Sequence, residues 1–404
     1  MSKSLVAVVR YESPLESVQK AVELSNGLEN LTSSSRVFIK PNIVFWAKAV
    51  QFPKWGVITT SRVVEDMVVL LKEHGVDDII IGEGIVTMIP GDRDTPVHAF
   101  NSLGYEKLKN RYGVKYLNIF ERPFEKVEIE PGLTLNYNKD ILYSDFIVDL
   151  PVMKAHNQTV VSLGIKNLKG IIDISSRKKC HSTDTVKDLH YHVSRLSDKL
   201  PPIFTLIDGI YSLERGPGFD GKMRRSNILV ASSDILSADM VGARLLGYQP
   251  SDIPYLVHAA KNRSRPTDLS DIKISGEEID NLVSYHEYDF KYAENENCTL
   301  PVPLAKQGIE GIFYRKYDST MCTYCSAING LVLSAIRLAW KGDPWDDVEI
   351  LTGKIMKPTK GKKTILIGKC MCQANSEDSN LKQVIKVKGC PPKPKDILLA
   401  LHKA

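Results

Sequence analysis

Short apolar runs of strand character alternate with amphipathic stretches of helical period along the first half of the chain. SLVAVVRY reads as a strand. SPLESVQKAVELSNGL reads as a helix with Ser13 as N-cap, Pro14 at its first position and Glu16 at its third. RVFIKPN is a second strand that ends in a polar loop, and TSRVVEDMVVLLKEHGV is an amphipathic helix stopped by Gly75. DDIIIGEG, VKYLNIF, PPIFTLIDGIY and SNILVASSD read as further strands, SLGYEKLKNRYG and ILSADMVGARLLGY as helices. DFIVDLPVMKAH reads as one buried strand running into a polar loop, and ERGPGFDGK as a glycine-rich loop. The β-α-β-α order predicts an α/β fold, a mostly parallel sheet with helices on both faces.

The rhythm changes toward the C-terminus. Residues 1–270 are expected to form the α/β core and the mixed polar stretch 271–300 a connection. Residues 301–404 are expected to form a small cysteine-rich α+β domain with short strands in DDVEILTG, KKTILIGK and QVIKVKG.

Composition narrows the class. A chain of 404 residues, 43% hydrophobic and 25% charged, has the make-up of an ordinary globular protein. A net charge of +5 suits an anionic cofactor or partner but lacks the concentrated basic face of a nucleic-acid binder. The opening MSKSLVAVVRYESP has too short an apolar run for a signal peptide, and no stretch approaches the ~20 apolar residues of a membrane span. A cytoplasmic location without membrane contact follows as the expectation. There, clustered thiols more often bind metal or do redox work than form disulfides.

Five of the seven cysteines fall in the last quarter: Cys322, Cys325, Cys370, Cys372 and Cys390. The two residues between Cys322 and Cys325 let both sulfurs reach one metal or cluster. Pro391 and Pro392 turn the chain away after Cys390, and proline after a cluster cysteine recurs in ferredoxin motifs. The expected ligands of a [4Fe-4S] cluster are Cys322, Cys325, Cys370 and Cys390, with Cys372 as the substitute for Cys370 if the strand continues through both. The alternative cofactor is a structural zinc on the same residues, although its second pair is C-x-C and not C-x-x-C. Lysines from Lys354 to Lys395 crowd the same region; most are a solvated face, but positive charge also favours thiolate ligands. Cys180 and Cys298 are expected to be ordinary.

Ligands of open α/β sheets bind beyond the carboxyl ends of the strands. There the core carries Lys40 and Asn42, Thr59 and Thr60 at a helix N-terminus, Glu83 between two glycines, and Asp208. The span LPVMKAHNQTVVSLGIKNLKGII adds Lys154, His156, Lys166, Asn167 and Lys169. Thr59 and Thr60 are equally well explained as a helix cap, Asp208 as a turn residue and His156 as a structural histidine. The apolar flanks of GIKNLKG, however, place Lys166 and Lys169 beside buried surface, where a cation wants an anionic partner. Lys40, Asn42, Thr59, Thr60, Glu83, Asn167, Lys169 and Asp208 are therefore taken as an anion or substrate site, and His156, Lys154 and Lys166 as the catalytic candidates.

VFIKPNIV, GVITTSRVVEDMVVLLKEHGVDDIIIGEG, DFIVDLPVMKAH, LGIKNLKGII, IDGIYSLERGPGFDGK and LSADMVGARLLGY, in this order over about residues 35–250, resemble the domain of unknown function 362 family. The resemblance implies an association with iron–sulfur binding and no settled reaction. The cysteine tail looks like a variant without tandem C-x-x-C-x-x-C runs, which fits one cluster. A looser similarity, in the spacing of His156, Lys166 and Lys169, is to the lactate racemase family, whose members use lysine and histidine around a nickel-bearing cofactor. The leading expectation is an iron–sulfur oxidoreductase or electron-transfer protein with an anionic substrate or cofactor and a redox partner protein. The alternatives are a non-redox isomerase with a structural cluster or zinc, and a binding or scaffold module.

Overall fold

Three five-residue runs, Val37–Pro41, Ile79–Glu83 and Phe146–Leu150, are buried at every position. Strands covered on both faces read this way, because helices pack over each side of a parallel sheet. The computed structural model describes residues 3–48, 55–87, 89, 91–218, 221–316, 318–381 and 383–404. The chain forms two units, residues 1–177 with 190–289, and residues 178–189 with 290–404.

The strands of the first unit are β1 (Ser4–Arg10), β2 (Val37–Pro41), β3 (Ile79–Glu83), β4 (Lys115–Asn118), β5 (Phe124–Glu130), β6 (Leu133–Asn138), β7 (Phe146–Leu150), β8 (Val152–His156), β9 (Val160–Ser162), β10 (Ile203–Gly216), β11 (Lys222–Ser232) and β12 (Ile272–Gly276). The main sheet runs β12-β1-β11-β10-β7-β2-β3-β4, with β8 paired to β10 and β9 to β8. From β4 to β10 every pairing is parallel, while β11 is antiparallel to both its neighbours. On one face, helices Glu16–Leu24, Ser61–Glu73, Asp94–Ser102 and Tyr105–Tyr112 share a core with Val37, Ile39, Ile81, Val148 and Leu206. On the other, Gly242 of helix Ile235–Leu245 lies so close that a Cβ there would be 3.0 Å from Cδ1 of Ile207. Leu206 and Ile207 are consecutive, so the period of two divides them between the layers.

Several local expectations shift. The first helix begins at Glu16, not at Pro14, and its N-cap residue is Leu15, not Ser13. Leu15 sits in the left-handed region (φ 62°), and its N–H donates to Asp66 Oδ2 at 2.8 Å. Ser17 Oγ, not Ser13, accepts the N–H groups of Glu12 and Ser13. Gly75 does follow the helix Ser61–Glu73, with φ +89°. DFIVDLPVMKAH is two strands, β7 and β8, parted at Pro151, which has no N–H to give a ladder. IDGIYSLERG is continuous strand to Gly216, and Phe219 and Asp220 of the glycine-rich loop lie outside the described residues. The hairpin β5–β6 was not anticipated from the pattern. Residues 272–276, in the stretch read as a connection, pair in parallel with β1.

The second unit holds β13 (Tyr292–Glu294), β14 (Cys298–Pro301), β15 (Ile312–Tyr314), β16 (Val348–Leu351), β17 (Lys363–Ile367) and β18 (Gln383–Val387), paired in chain order. Only β13–β14 is antiparallel. Parallel neighbours need crossovers. Helix Thr323–Ala339 provides one between β15 and β16, and the short helix Lys369–Ala374 lies between β17 and β18.

Candidate functional site

In the first unit the chain leaves β2 toward β3 on one side, whereas β7 pairs on the other. The carboxyl ends of β2 and β7 therefore flank a switch point, where open α/β sheets form their crevice. Lys40 pairs in register with Asp149 there. Lys40 Nζ donates to Glu83 Oε2 (2.8 Å), to the Pro41 carbonyl (2.6 Å) and to Asn167 Oδ1 (3.2 Å). Glu83 Oε2 also accepts the Ile43 N–H at 3.0 Å, and Oε1 the Gly84 N–H at 2.7 Å. Asn42 Nδ2 donates to Asn167 Oδ1 (2.9 Å), and the Asn42 N–H to Thr59 Oγ1 (2.7 Å). The Thr59 hydroxyl donates to the Leu150 carbonyl at 2.7 Å. Lys40 and Glu83 have no exposed surface, and Asn42, Thr59 and Asn167 are buried. Burial lowers the Lys40 pKa, with Glu83 opposing that shift.

The N-terminus of helix Ser61–Glu73 offered an anion site. The protein fills it itself: Asp208 Oδ2 accepts the Thr60 N–H at 2.7 Å and Oδ1 the Ile210 N–H at 3.1 Å. Burial raises the Asp208 pKa against those hydrogen bonds.

Lys154, on β8, donates to Asn42 Oδ1 (2.5 Å) and to the Val57 carbonyl. Burial depresses its pKa to about 7. Two residues on, His156 Nε2 lies 2.8 Å from Lys166 Nζ, and His156 Nδ1 accepts the Gln158 N–H at 3.0 Å. A backbone N–H only donates, so Nδ1 carries no proton and Nε2 bears the single proton of the neutral ring. That proton faces the amine. Burial, with Lys169 and Lys154 nearby, holds the Lys166 pKa well below that of an ordinary lysine. The lowered pKa favours the neutral amine, whose lone pair accepts that proton. Lys166 and Lys169 keep accessible surface, while Lys40 and Lys154 do not.

Four residues outside the expected set build this arrangement. Asp239 accepts the N–H groups of Gly164 (2.6 Å) and Ile165 (3.1 Å) and so anchors the turn Gly164–Asn167 that carries Lys166. Burial raises its pKa to about 7. Asp149 Oδ1 accepts from Asn167 Nδ2 at 2.8 Å. Its other oxygen, and Thr205 Oγ1 on the register-paired residue, are buried without a hydrogen-bond partner, and burial raises the Asp149 pKa strongly. Arg177 donates to the carbonyls of Gly84 (3.0 Å), Gly170 (2.6 Å) and Ile172 (3.1 Å) and lies over the Phe120 ring. The available signal was a charge inside an apolar run, FIVDL for Asp149 and ILSADMVGARLL for Asp239.

In the second unit, β17 and β18 end at the register-paired Ile367 and Val387. Cys370 and Cys390 each lie three residues beyond, and the two loops are tied by Gly368 N–H to Val387 O and Lys369 N–H to Gly389 O, both 2.9 Å. Cys322 is the N-cap residue of helix Thr323–Ala339 and Cys325 lies in its first turn. The hydrogen bond with Cys322, burial, and the charges of Cys322, Cys390 and Cys370 push the Cys325 thiol well up. Thiols from three chain segments thus act on one sulfur. Among the described residues, no three His, Cys, Asp or Glu side chains are already set as the ligands of a metal ion.

Cys370 and Cys372 do not point the same way, because Lys369–Ala374 is helical and not a continuation of β17. Cys370 is exposed; Cys372 is buried with Leu351, Met356, Leu366 and Met371, its Sγ 3.6 Å from the Leu366 carbonyl. A cation beside these thiols comes from outside the lysine-rich tail. Lys178 hydrogen-bonds Cys390, stands 5.2 Å from the Tyr324 ring centre, and has a raised pKa because Cys390, Cys322 and Tyr324 outweigh its burial. Lys354 holds this segment by donating to the carbonyls of Lys178 (3.2 Å) and His181. Cys180 and Cys298 are buried.

Among the described residues no helix is long and apolar enough to cross a membrane. The chain is 25% identical over 272 residues to the thylakoid-associated protein sll1697 of Synechocystis sp. (strain ATCC 27184 / PCC 6803 / Kazusa), covering 66% of this chain and 81% of that protein. Among solved structures it is similar to the lactate racemase apoprotein from Thermoanaerobacterium thermosaccharolyticum, with a TM-score of 0.37 and 14% identity over 61% of this chain and 57% of that one. Residues 37–244, half of the chain and all of the switch-point site, match the family described as "Domain of unknown function (DUF362)", and the protein belongs to that family.

Proposed function

We propose that the protein is a cytoplasmic iron–sulfur protein, an oxidoreductase or electron-transfer protein. Its second unit would hold a [4Fe-4S] cluster on Cys322, Cys325, Cys370 and Cys390. Its first unit would bind an anionic substrate beside Lys166 and Lys169. The observation that carries this reading is the convergence of three cysteine-bearing segments: a Cβ on Gly368, two residues before Cys370, would lie 3.7 Å from Cys325 Sγ, and the Cys370 and Cys390 loops are hydrogen-bonded to each other. A cubane takes four cysteine thiolates, so the donor set fits the group. When bound, such a cluster supplies one-electron transfer with a redox partner protein. The chain's own part is electrostatic: Lys178 donates toward Cys390, and the N-terminus of helix Thr323–Ala339 adds partial positive charge beside Cys322 and Cys325.

A second reading, a non-redox enzyme with a structural cluster or zinc, is favoured by the contact of Lys166 with His156, which needs no electron. Anaerobic purification with iron, sulfide and zinc analysis, and EPR of the reduced protein, separates the two. About four irons and four sulfides per chain with a reducible signal support the first. One zinc and no sulfide overturns it.

A further inference from the structure

We propose that Lys166 is a nucleophilic amine that forms an imine with a small carbonyl compound carrying a carboxylate, and that His156 serves as its proton donor. This rests on the reading of the first unit as the reactive site and is independent of the cluster.

The geometry supplies each part. Lys166 Nζ lies 2.8 Å from His156 Nε2, and the Gln158 N–H on Nδ1 fixes the tautomer with the proton on Nε2. The lysine is carried on the turn that Asp239 anchors through two backbone N–H groups. Of the four lysines gathered here, Lys40 is bound to Glu83 and Lys154 to Asn42 and Val57, and both are buried. Lys166 keeps accessible surface. Its lowered basicity favours the neutral amine, as in lysines that form Schiff bases. Lys169 adds the positive charge that a carboxylate would meet.

The step balances without a redox co-reactant. As the Nζ lone pair attacks the carbonyl carbon, His156 Nε2 passes its proton to the carbonyl oxygen and takes one from the attacking nitrogen in the same exchange, so the ring stays neutral and a carbinolamine forms. A second exchange moves the remaining amine hydrogen to the hydroxyl, which departs as water. Across the step the two amine hydrogens and the carbonyl oxygen leave as one water and a C=N bond remains.

The test is reductive trapping of the purified full chain with glyoxylate and cyanoborohydride at pH 7, read by peptide mass mapping. The peptide bearing Lys166 should be labelled roughly 100-fold or more faster than the other lysines, because an ordinary lysine of pKa ~10.4 is almost wholly protonated at that pH. Lys166→Arg should abolish the fast phase and leave the slow surface labelling. His156→Gln should slow it while Lys166 remains the labelled residue. Equal labelling of all lysines overturns the proposal even if neither variant folds, since the mapping is done on the unaltered protein. Glycolate, which has no carbonyl, distinguishes the two failures. If glycolate protects Lys166 from acetylation but no imine is trapped, the imine is wrong and the anion site stands. If it gives no protection either, the site reading fails as well.

Discussion

Lys40 Nζ and Glu83 Oε2 lie 2.8 Å apart with neither side chain exposed. Their attraction is set against the cost of removing both charges from water, so the pair contributes little net stability while either partner alone is costly. Lys40→Met is expected to destabilise the protein by about 3–5 kcal/mol, because Glu83 is left buried and charged. Lys40→Met with Glu83→Gln should recover much of that loss. Urea unfolding of the two single variants and the double variant gives the coupling. Independent, additive losses would show that the pair is not a unit.

Gly170 belongs to the same unit. A Cβ on it would fall 2.4 Å from Glu83 Oε1 and 2.6 Å from Lys40 Nζ. Gly170→Ala must displace the pair or the backbone that carries Lys169, and the cost of such overpacking is about 1–3 kcal/mol. Thermal unfolding measures the loss. An unchanged midpoint would mean that the segment moves aside freely.

The parallel core was legible in the sequence because strands buried on both faces leave short apolar runs, FIV in FIVDL and III in DDIIIGEG. The hairpin β5–β6 was not, because β5 is mostly only half-buried and FEKVEIE carries four charges in seven residues. The polar residues of the site were legible one by one, each as an interruption at a strand end. Their division of labour was not. Lys40 and Lys166 look alike in sequence, but one is closed on Glu83 and the other on His156, and that depends on which strands become neighbours. The same limit hid Lys178, which reaches Cys390 from a distant segment, and it left Cys370 and Cys372 equivalent until a short helix turned them apart.

Lys154 gives a pH signature. Its pKa falls from 10.5 to about 7 on burial, so between those values the unfolded chain holds a proton that the folded one does not. Stability therefore rises with pH across that window, by up to about 1.4 kcal/mol per unit for this one group, and the cost of burying the charged amine is greatest below pH 7. Lys40 and Lys166 shift in the same direction and steepen the slope. Urea unfolding from pH 7 to 10 should show Lys154→Met with a shallower rise than the parent. Parallel curves would mean that Lys154 stays protonated in the folded protein.

The cysteines make a series that separates ligation from packing. Cys370 and Cys390 follow the paired ends of β17 and β18 and act on Cys325, whereas Cys372 is buried in an apolar cluster. If Cys322, Cys325, Cys370 and Cys390 hold the cluster, Cys370→Ser and Cys390→Ser should lose most of the bound iron and sulfide with little change in the apo fold, since both residues are exposed. Cys372→Ala should keep its metal content and lose about 1 kcal/mol of stability, the usual size of a modest core truncation. Lys178→Met should keep the iron but lower the midpoint potential, because a positive charge and a hydrogen bond at one sulfur favour the reduced cluster. Iron and sulfide analysis with a redox titration reads all four variants. Loss of iron in Cys372→Ala with retention in Cys370→Ser would exchange the roles of the two residues. Retention in every variant would remove the cysteine site as the place where metal is held.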